Sequence, residues 1–316
     1  MNLSPNQKAD VLIESLPYIK KFYNEIVVIK YGGSAMVNDE LKESIIKDIV
    51  LMKYVGMHPV VVHGGGPEIT NMLKVFDKES KFVDGLRVTD QATMEITEMV
   101  LLGKVCQEIV TRINQNGVRS IGICGKDGSM IKTVPKDPEL GLVGGITSID
   151  TDLIKTIIEK GYIPVISPIG CGPAGESHNI NADEVAGKLA AALGAKKLML
   201  ITDVAGVLRD QHDEASLISD IKTNEIEEYI ETGVIKGGMI PKISCCFDAV
   251  ANGVERAHII DGRKSHSMLL EIFTDQGVGT MITHGGDQNG NSKNNKQWKS
   301  IFNEHLWENA YSLPGR

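Results

Sequence analysis

The chain of 316 residues is long enough for one large core or for two lobes that share a sheet. A formal net charge of −8 argues against nucleic acid or anionic lipid as the main partner. With 42% hydrophobic and only 5% aromatic residues, no uninterrupted apolar stretch reaches transmembrane length, and the N-terminus lacks the basic-then-apolar layout of a signal peptide.

Residues 4–23 read as a capped helix, with Ser4 as N-cap, Pro5 at the first helical position and Gln7 closing a capping box. Leu12, Leu16, Ile19 and Tyr23 form an apolar stripe that must lie against something, and Pro17 predicts a kink or a break. The run Ile26-Val27-Val28-Ile29 then predicts a buried strand over 26–30, ending in Lys30-Tyr31-Gly32-Gly33-Ser34. A helix over 39–56 leads to a strand over 59–63, and the turn His63-Gly64-Gly65-Gly66-Pro67 opens a helix over 68–79. Helical spacing returns over 90–116, followed by a strand over 120–124. The glycine-rich stretch 124–147 predicts hairpins at one end of the sheet.

The second half continues the alternation. Helices are predicted over 149–160, 183–193, 223–233, 240–252 and 264–274, with strands over 162–167, 197–202 and 257–260. Gly237-Gly238-Met239-Ile240-Pro241-Lys242 adds a third glycine pair, with a lysine just inside the next helix. This order implies βαβ crossovers and a mainly parallel sheet covered on both faces. Residues 284–297 form a polar stretch expected to be a disordered linker. Beyond it Trp298, Phe302 and Leu306 recur at helical spacing, and both tryptophans, Trp298 and Trp307, lie in this tail.

A buried strand that opens into a glycine turn and then a helix aims free backbone N–H groups at one point, which suits an anion. Lysines set into two such turns point to phosphate, and so to an enzyme that moves a phosphoryl group. One glycine turn after a strand is more often only a tight turn; several, each with a lysine or a helix start, favour the anion. The chain has no GxxxxGK[ST], no HRD or DFG kinase loop and no GxGxxG. Those absences remove the P-loop, protein-kinase and nicotinamide-dehydrogenase readings. The five cysteines, Cys106, Cys124, Cys171, Cys245 and Cys246, contain no CxxC pair and read as core residues or free thiols. A reducing compartment follows: the cytoplasm, or a plastid stroma as the alternative. No His, Cys or carboxylate cluster has the spacing of a protein metal cage, so Mg²⁺ is expected to arrive with a nucleotide.

Six segments occur in the order and at the intervals seen in the amino-acid kinase family. They are Lys30-Tyr-Gly-Gly, His63-Gly-Gly-Gly-Pro, Gly85-Leu-Arg87-Val-Thr, Asn179-Ile-Asn181-Ala-Asp183, Thr202-Asp203-Val-Ala-Gly206-Val and Gly237-Gly-Met-Ile-Pro-Lys242. The resemblance spans roughly 22–282 and is strongest to the branch that phosphorylates the side-chain carboxylate of N-acetyl-L-glutamate in arginine synthesis. It implies a three-layer α/β/α sandwich around a mainly parallel sheet. An amino-acid substrate lobe would span 25–194 and an ATP lobe 195–282, with 1–24 as a regulatory and oligomerisation helix. Residues 283–316, a polar linker and tail, lie beyond the usual end of the family and have no assigned role.

Roles follow by resemblance. Lys30 and Lys242 would flank the transferring phosphoryl group, with Asp183 holding both by charge pairing. Gly33, Gly64 and Gly65 would donate backbone N–H groups to phosphate and to the acceptor carboxylate. Arg87 would clamp the α-carboxylate and Asn179 the acetamido or carboxylate end. Gly32, Thr202, Asp203, Gly206 and Gly238 would serve the nucleotide. Plainer readings stand beside these. Lys30 could be a solvated strand end, Lys242 a surface lysine and Arg87 half of a surface salt bridge. Asp183 could be a favourable first-turn acid beside a capping box of Asn181 and Glu184.

In arginine-sensitive members a kinked N-terminal helix interlaces dimers into a hexamer, a trimer of dimers, and forms part of the arginine site. The resemblance places Tyr18, His258, Glu271 and Gly277 at that site, with L-arginine as inhibitor. The plain alternative is a strand-end histidine and a helix-face acid. A PII-type signalling protein partners relatives in photosynthetic lineages, and no residue here demands it. Two rival readings are a family member acting on glutamate, carbamate, aspartate or UMP, and a catalytically idle arginine sensor. The segments at 85–89 and 179–183 suit an acylated amino acid, and a sensor has no need of both lysines and Asp183.

Overall fold

In the computed structural model, which describes residues 4–36, 38–274 and 277–285, the chain opens with α1 (Pro5–Phe22) and β1 (Ile26–Tyr31). Then come α2 (Asp39–Tyr54), β2 (His58–His63), α3 (Gly66–Val75) and a small hairpin of β3 (Phe82–Val83) and β4 (Leu86–Arg87). One helical run follows: α4 (Gln91–Glu98), a π-helical segment (Met99–Cys106) and α5 (Gln107–Gln115). The middle of the chain holds β5 (Ser120–Cys124), β6 (Ile131–Pro135), β7 (Gly144–Ile149), α6 (Asp152–Glu159), β8 (Ile163–Ser167), β9 (Ile169–Cys171) and β10 (Ser177–Asn179). The last third holds α7 (Ala182–Leu193), β11 (Lys197–Thr202), β12 (Asp220–Lys222), α8 (Ile226–Glu231), α9 (Met239–Ala251), β13 (Arg256–Asp261), α10 (Ser267–Phe273) and β14 (Thr280–Thr283).

Eight strands form the main sheet in the order β12-β14-β13-β11-β1-β2-β8-β5. Every neighbouring pair is parallel except β13 with β14. The β-branched runs explain this layout, because a strand buried on both faces needs apolar side chains on both. Val28, Val60, Val62, Leu198 and Leu200 pack on one face with Val185 and Leu189 of α7 and Ile243 and Phe247 of α9. Val27, Ile29, Val61, Met199 and Ile201 pack on the other with Ile45 and Ile49 of α2, Leu73 of α3 and Met268 of α10. The result is the expected three-layer α/β/α sandwich. All strands from residue 197 onward occupy one half of this sheet, and β1, β2, β8 and β5, which precede residue 168, the other.

The differences from the sequence expectation have local causes. The stretch 124–147 does supply the strands of an antiparallel hairpin, β6 with β7, but not on the main sheet: they join β9 and β10 in a separate four-stranded sheet. Close packing there needs glycine, since a Cβ on Gly170 would collide with Thr133 and one on Gly144 with His178. β12 and β14 went unpredicted because three or four residues of mixed polarity carry no usable alternation. α1 begins with the predicted capping box, Gln7 N–H donating to Ser4 Oγ at 3.3 Å and Ser4 N–H to Gln7 Oε1 at 2.9 Å. It then runs through Pro17 unbroken: one lost hydrogen bond does not stop a helix with full turns on both sides. The predicted linker and tail, including Trp298, Phe302, Leu306 and Trp307, lie outside the described residues from 286 onward.

Candidate active site

Because β1, β2 and β11 are adjacent and parallel, their C-terminal ends lie side by side, where open α/β sheets place ligands. Lys30 sits near the end of β1, and its Nζ lies 3.0 Å from Asp183 Oδ1. Lys242, in the opening of α9, places its Nζ 3.0 Å from Asp183 Oδ2. Asp183 is held in the first turn of α7, where its N–H donates to the N-cap Asn181 Oδ1 at 2.8 Å. Burial alone would push its carboxyl up, but the two ammonium groups outweigh this and hold it at about 2. The full capping box is absent: Glu184 instead pairs with Lys136 and Lys188, each at 3.0 Å. Gly32 keeps Lys30 in place, because a Cβ there would lie 2.6 Å from Lys30 Nζ. Cys245, unassigned from the sequence beyond being a core residue or free thiol, donates its thiol to the Asp183 carbonyl at 2.9 Å.

Beside this triad is a cavity of about 230 Å³ whose lining includes Lys30, Gly65, Leu101, Arg87, Asn179 and Asp183. Arg87 is not half of a surface salt bridge. It is buried, stacks 4.7 Å from the Phe82 ring, and donates only to neutral oxygens. These are Ser80 Oγ at 2.6 Å, Thr70 Oγ1 at 2.9 Å and the Gly66 carbonyl at 3.0 Å. Among the described residues no carboxylate pairs with it, so a bound anion would supply the missing charge. Asn179 closes the far side, its Nδ2 donating to Thr89 Oγ1 at 3.2 Å.

One expected donor is already engaged. The Gly64 N–H donates to the Tyr31 carbonyl at 2.8 Å, continuing the β1–β2 ladder by one residue. Gly64 still lines the cavity, together with Gly65 and Gly66 at the opening of α3, where helix-start N–H groups are free of intrahelical partners.

On the opposite side of Lys30, Gly33 adopts φ +74, and a Cβ there would fall on the Asp203 carboxylate. Two turns of the nucleotide set, at 32–33 and 202–203, are therefore in contact. Thr202 is buried at the end of β11, and its carbonyl accepts from Gly262 N–H at 2.8 Å. Gly238 precedes α9 with open space beside it. Gly206 is packed instead against Thr280 of β14, whose Oγ1 accepts from Val207 N–H at 2.8 Å. Among the described residues no group of three or more His, Cys, Asp or Glu could hold a metal ion.

Apart from this site, the structure gathers three of the four residues expected to bind arginine. His258 Nδ1 lies 2.8 Å from Glu271 Oε1, Val278 N–H donates to Glu271 Oε2 at 3.0 Å, and Gly277 abuts the same carboxylate. Burial lowers the His258 pKa, opposed by Glu271. Tyr18 lies on α1, which packs against the α10 that carries Glu271. Lys197 was missed: buried at the start of β11, it has its Nζ 3.5 Å from the Glu271 carbonyl and 5.0 Å from the Phe22 ring centre. Burial pulls its pKa down to about 8. A lysine directly before the apolar run Leu198-Met199-Leu200-Ile201 was the available signal.

Residues 25–261 match the model of the amino acid kinase family. The chain is 57% identical over 291 residues to the acetylglutamate kinase of Pelotomaculum thermopropionicum, covering 88% of this chain and 99% of that one. It is 58% identical over 278 residues to the acetylglutamate kinase of Thermoanaerobacter pseudethanolicus, covering 87% and 93%. Among solved structures, smu.665 from Streptococcus mutans is 31% identical with a TM-score of 0.70, over 82% of this chain and 99% of that one. N-acetylglutamate synthase from Neisseria gonorrhoeae, complexed with coenzyme A and N-acetyl-glutamate, shares the fold at 21% identity and a TM-score of 0.78, over 92% and 68%. With the two lysines, Asp183 and the glycine turns assembled at one end of the sheet, these likenesses make the chain a member of the amino acid kinase family.

Proposed function

We propose that this chain transfers the γ-phosphoryl group of ATP to the side-chain carboxylate of N-acetyl-L-glutamate, the step its acetylglutamate kinase relatives are named for. The observation that carries this reading is the Lys30–Asp183–Lys242 arrangement at the mouth of a cavity holding a buried arginine that has no acidic partner among the described residues. In phosphoryl transfer the protein's task is positioning and charge stabilisation. Lys30 and Lys242 approach from two elements and meet the charge spreading over the phosphoryl oxygens, while Asp183 fixes their separation. No general base is required, because a carboxylate acceptor is already ionised near pH 7. Arg87 takes the α-carboxylate, Asn179 the acetamido end, and the amides of Gly65 and Gly66 the anionic end nearest Lys30.

ATP lies on the Gly33–Asp203 side, served by Thr202 and Gly238. The division of the sheet at residues 168–197 supports an acceptor lobe before it and a nucleotide lobe after it. Mg²⁺, carried by the nucleotide, neutralises phosphate charge when bound.

The His258–Glu271–Gly277 cluster supports an L-arginine site, with Tyr18 contributed from α1. Leu12, Leu16 and Tyr23 are 70%, 55% and 66% exposed on the single chain, which supports burial of that face by further copies in a hexamer.

An acceptor panel tests the substrate. ADP release with Mg-ATP should be supported by N-acetyl-L-glutamate and be about a hundredfold or more poorer with glutamate, whose free ammonium would enter a site built for a neutral amide. Equal rates with the two acceptors would overturn the assignment.

A further inference from the structure

We infer that His63 is a positioning residue that latches the Gly64–Gly65 peptide so that the Gly65 N–H is presented to the transferring phosphoryl group; this rests on the kinase reading above. His63 ends β2 and is completely buried. Its Nδ1 lies 2.8 Å from the Gly64 carbonyl, and its Nε2 lies 2.8 Å from Ser167 Oγ. A carbonyl can only accept, so Nδ1 carries the proton and Nε2 accepts from the Ser167 hydroxyl. Burial holds the ring neutral, its pKa pushed down to about 4, which keeps one donor and one acceptor on the ring at neutral pH.

The consequence lies in the next amide. In a trans peptide the C=O and N–H point in opposite directions. Holding the Gly64 carbonyl against His63 therefore turns the Gly65 N–H away from the buried ring, toward the side on which Gly65 lines the cavity. The Gly64 N–H, bonded to Tyr31, fixes the peptide before it. A peptide between two glycines flips at little cost, since both accept either sign of φ. A flip here would present a carbonyl oxygen to an incoming phosphate. Gly65 has no side chain to resist it, because a Cβ would strike Leu101 Cδ2 at 2.5 Å. The latch is thus supplied by the last residue of β2 and not by either glycine.

Turnover with Mg-ATP and N-acetyl-L-glutamate, thermal melting and a crystal structure would be compared for the wild type, His63→Leu, His63→Asn and His63→Gln. His63→Leu keeps bulk but no donor, and kcat should fall about a hundredfold, the scale of one lost transition-state donor, with KM changed much less. His63→Asn retains an N–H near the Nδ1 position and should recover about tenfold of that loss. Near-native kcat in His63→Leu, or equal loss in both variants, would overturn the inference. If His63→Leu fails to fold, His63→Gln against His63→Asn decides: Gln carries its amide toward the Nε2 position and leaves the Gly64 carbonyl unheld, so its kcat should fall about tenfold below that of His63→Asn, and equal kcat in the two would contradict the latch. A wild-type protein that makes no ADP would retire the kinase reading alone. The orientation of the Gly64–Gly65 peptide in His63→Leu crystals, or in His63→Gln crystals if the former does not fold, is read without turnover. A rotated peptide supports the latch and an unrotated one refutes it.

Discussion

The ammonium groups of Lys30 and Lys242 sit on opposite oxygens of a single carboxylate, that of Asp183, each at 3.0 Å. One lysine lies near the end of a central strand and the other near the start of a helix, so neither element alone creates the arrangement. Two cations that would repel each other are held by one anion at the rim of a cavity, which leaves a net positive charge facing it. That charge is what a phosphoryl group in transfer requires.

Replacing either lysine by alanine should lower kcat by about a hundredfold or more, with a much smaller change in acceptor KM. Steady-state kinetics on purified Lys30→Ala and Lys242→Ala check this. Near-normal turnover in either variant would remove that lysine from the mechanism.

Asp183→Asn should cost turnover on the same scale, since the two lysines would lose their common anchor. It should also change the response to acid. The folded-state pKa of Asp183 is depressed to about 2, below the unfolded value of about 3.9. Its contribution to stability, about 2–3 kcal/mol, is therefore complete above pH ~4 and is lost as pH falls through ~2. The melting-temperature advantage of the wild type over Asp183→Asn should shrink across that window, as read by thermal denaturation from pH 6 downward.

Gly32→Ala separates placement of Lys30 from its presence. The added Cβ would lie 2.6 Å from Lys30 Nζ, the flexible end of a side chain that can move aside at little cost to stability. The melting temperature should stay close to the wild type while kcat drops by about tenfold. Parallel melting and kinetic measurements would show whether the two quantities separate.

Much of this was legible in the sequence, because both burial and anion binding leave short-range signals. Val60-Val61-Val62 and Leu198-Met199-Leu200-Ile201 marked central strands, and a glycine turn after two such strands marked the site. The signals failed where partners are distant or elements are short. Nothing near Gly64 announced that its N–H would be taken by Tyr31, because that bond depends on the register of β1 against β2. Nothing in the predicted strand over 197–202 marked Lys197 as buried, because its contacts with Phe22 and the Glu271 carbonyl come from distant parts of the chain. β12, with Ile221 its single buried residue, was too short to show a period.

Removing residues 1–21 should affect assembly and regulation together. The exposed Leu12, Leu16 and Tyr23 each gain about 1.5–3 kcal/mol on burial before entropy is subtracted, enough for a neighbouring copy to hold α1. Light scattering should show a hexamer reduced to dimers, and inhibition curves should show L-arginine inhibition lost or sharply weakened with basal turnover kept. A truncated protein that remains hexameric and fully arginine-sensitive would make α1 a cover for its own subunit.

The most direct test of the central claim is the product itself. ³¹P NMR of the enzyme with Mg-ATP and N-acetyl-L-glutamate should show an acyl-phosphate resonance growing in step with ADP, and neither signal with Asp183→Asn over the same time. ADP accompanied only by inorganic phosphate, or full acyl-phosphate production by Asp183→Asn, would contradict transfer through the Lys30–Asp183–Lys242 site.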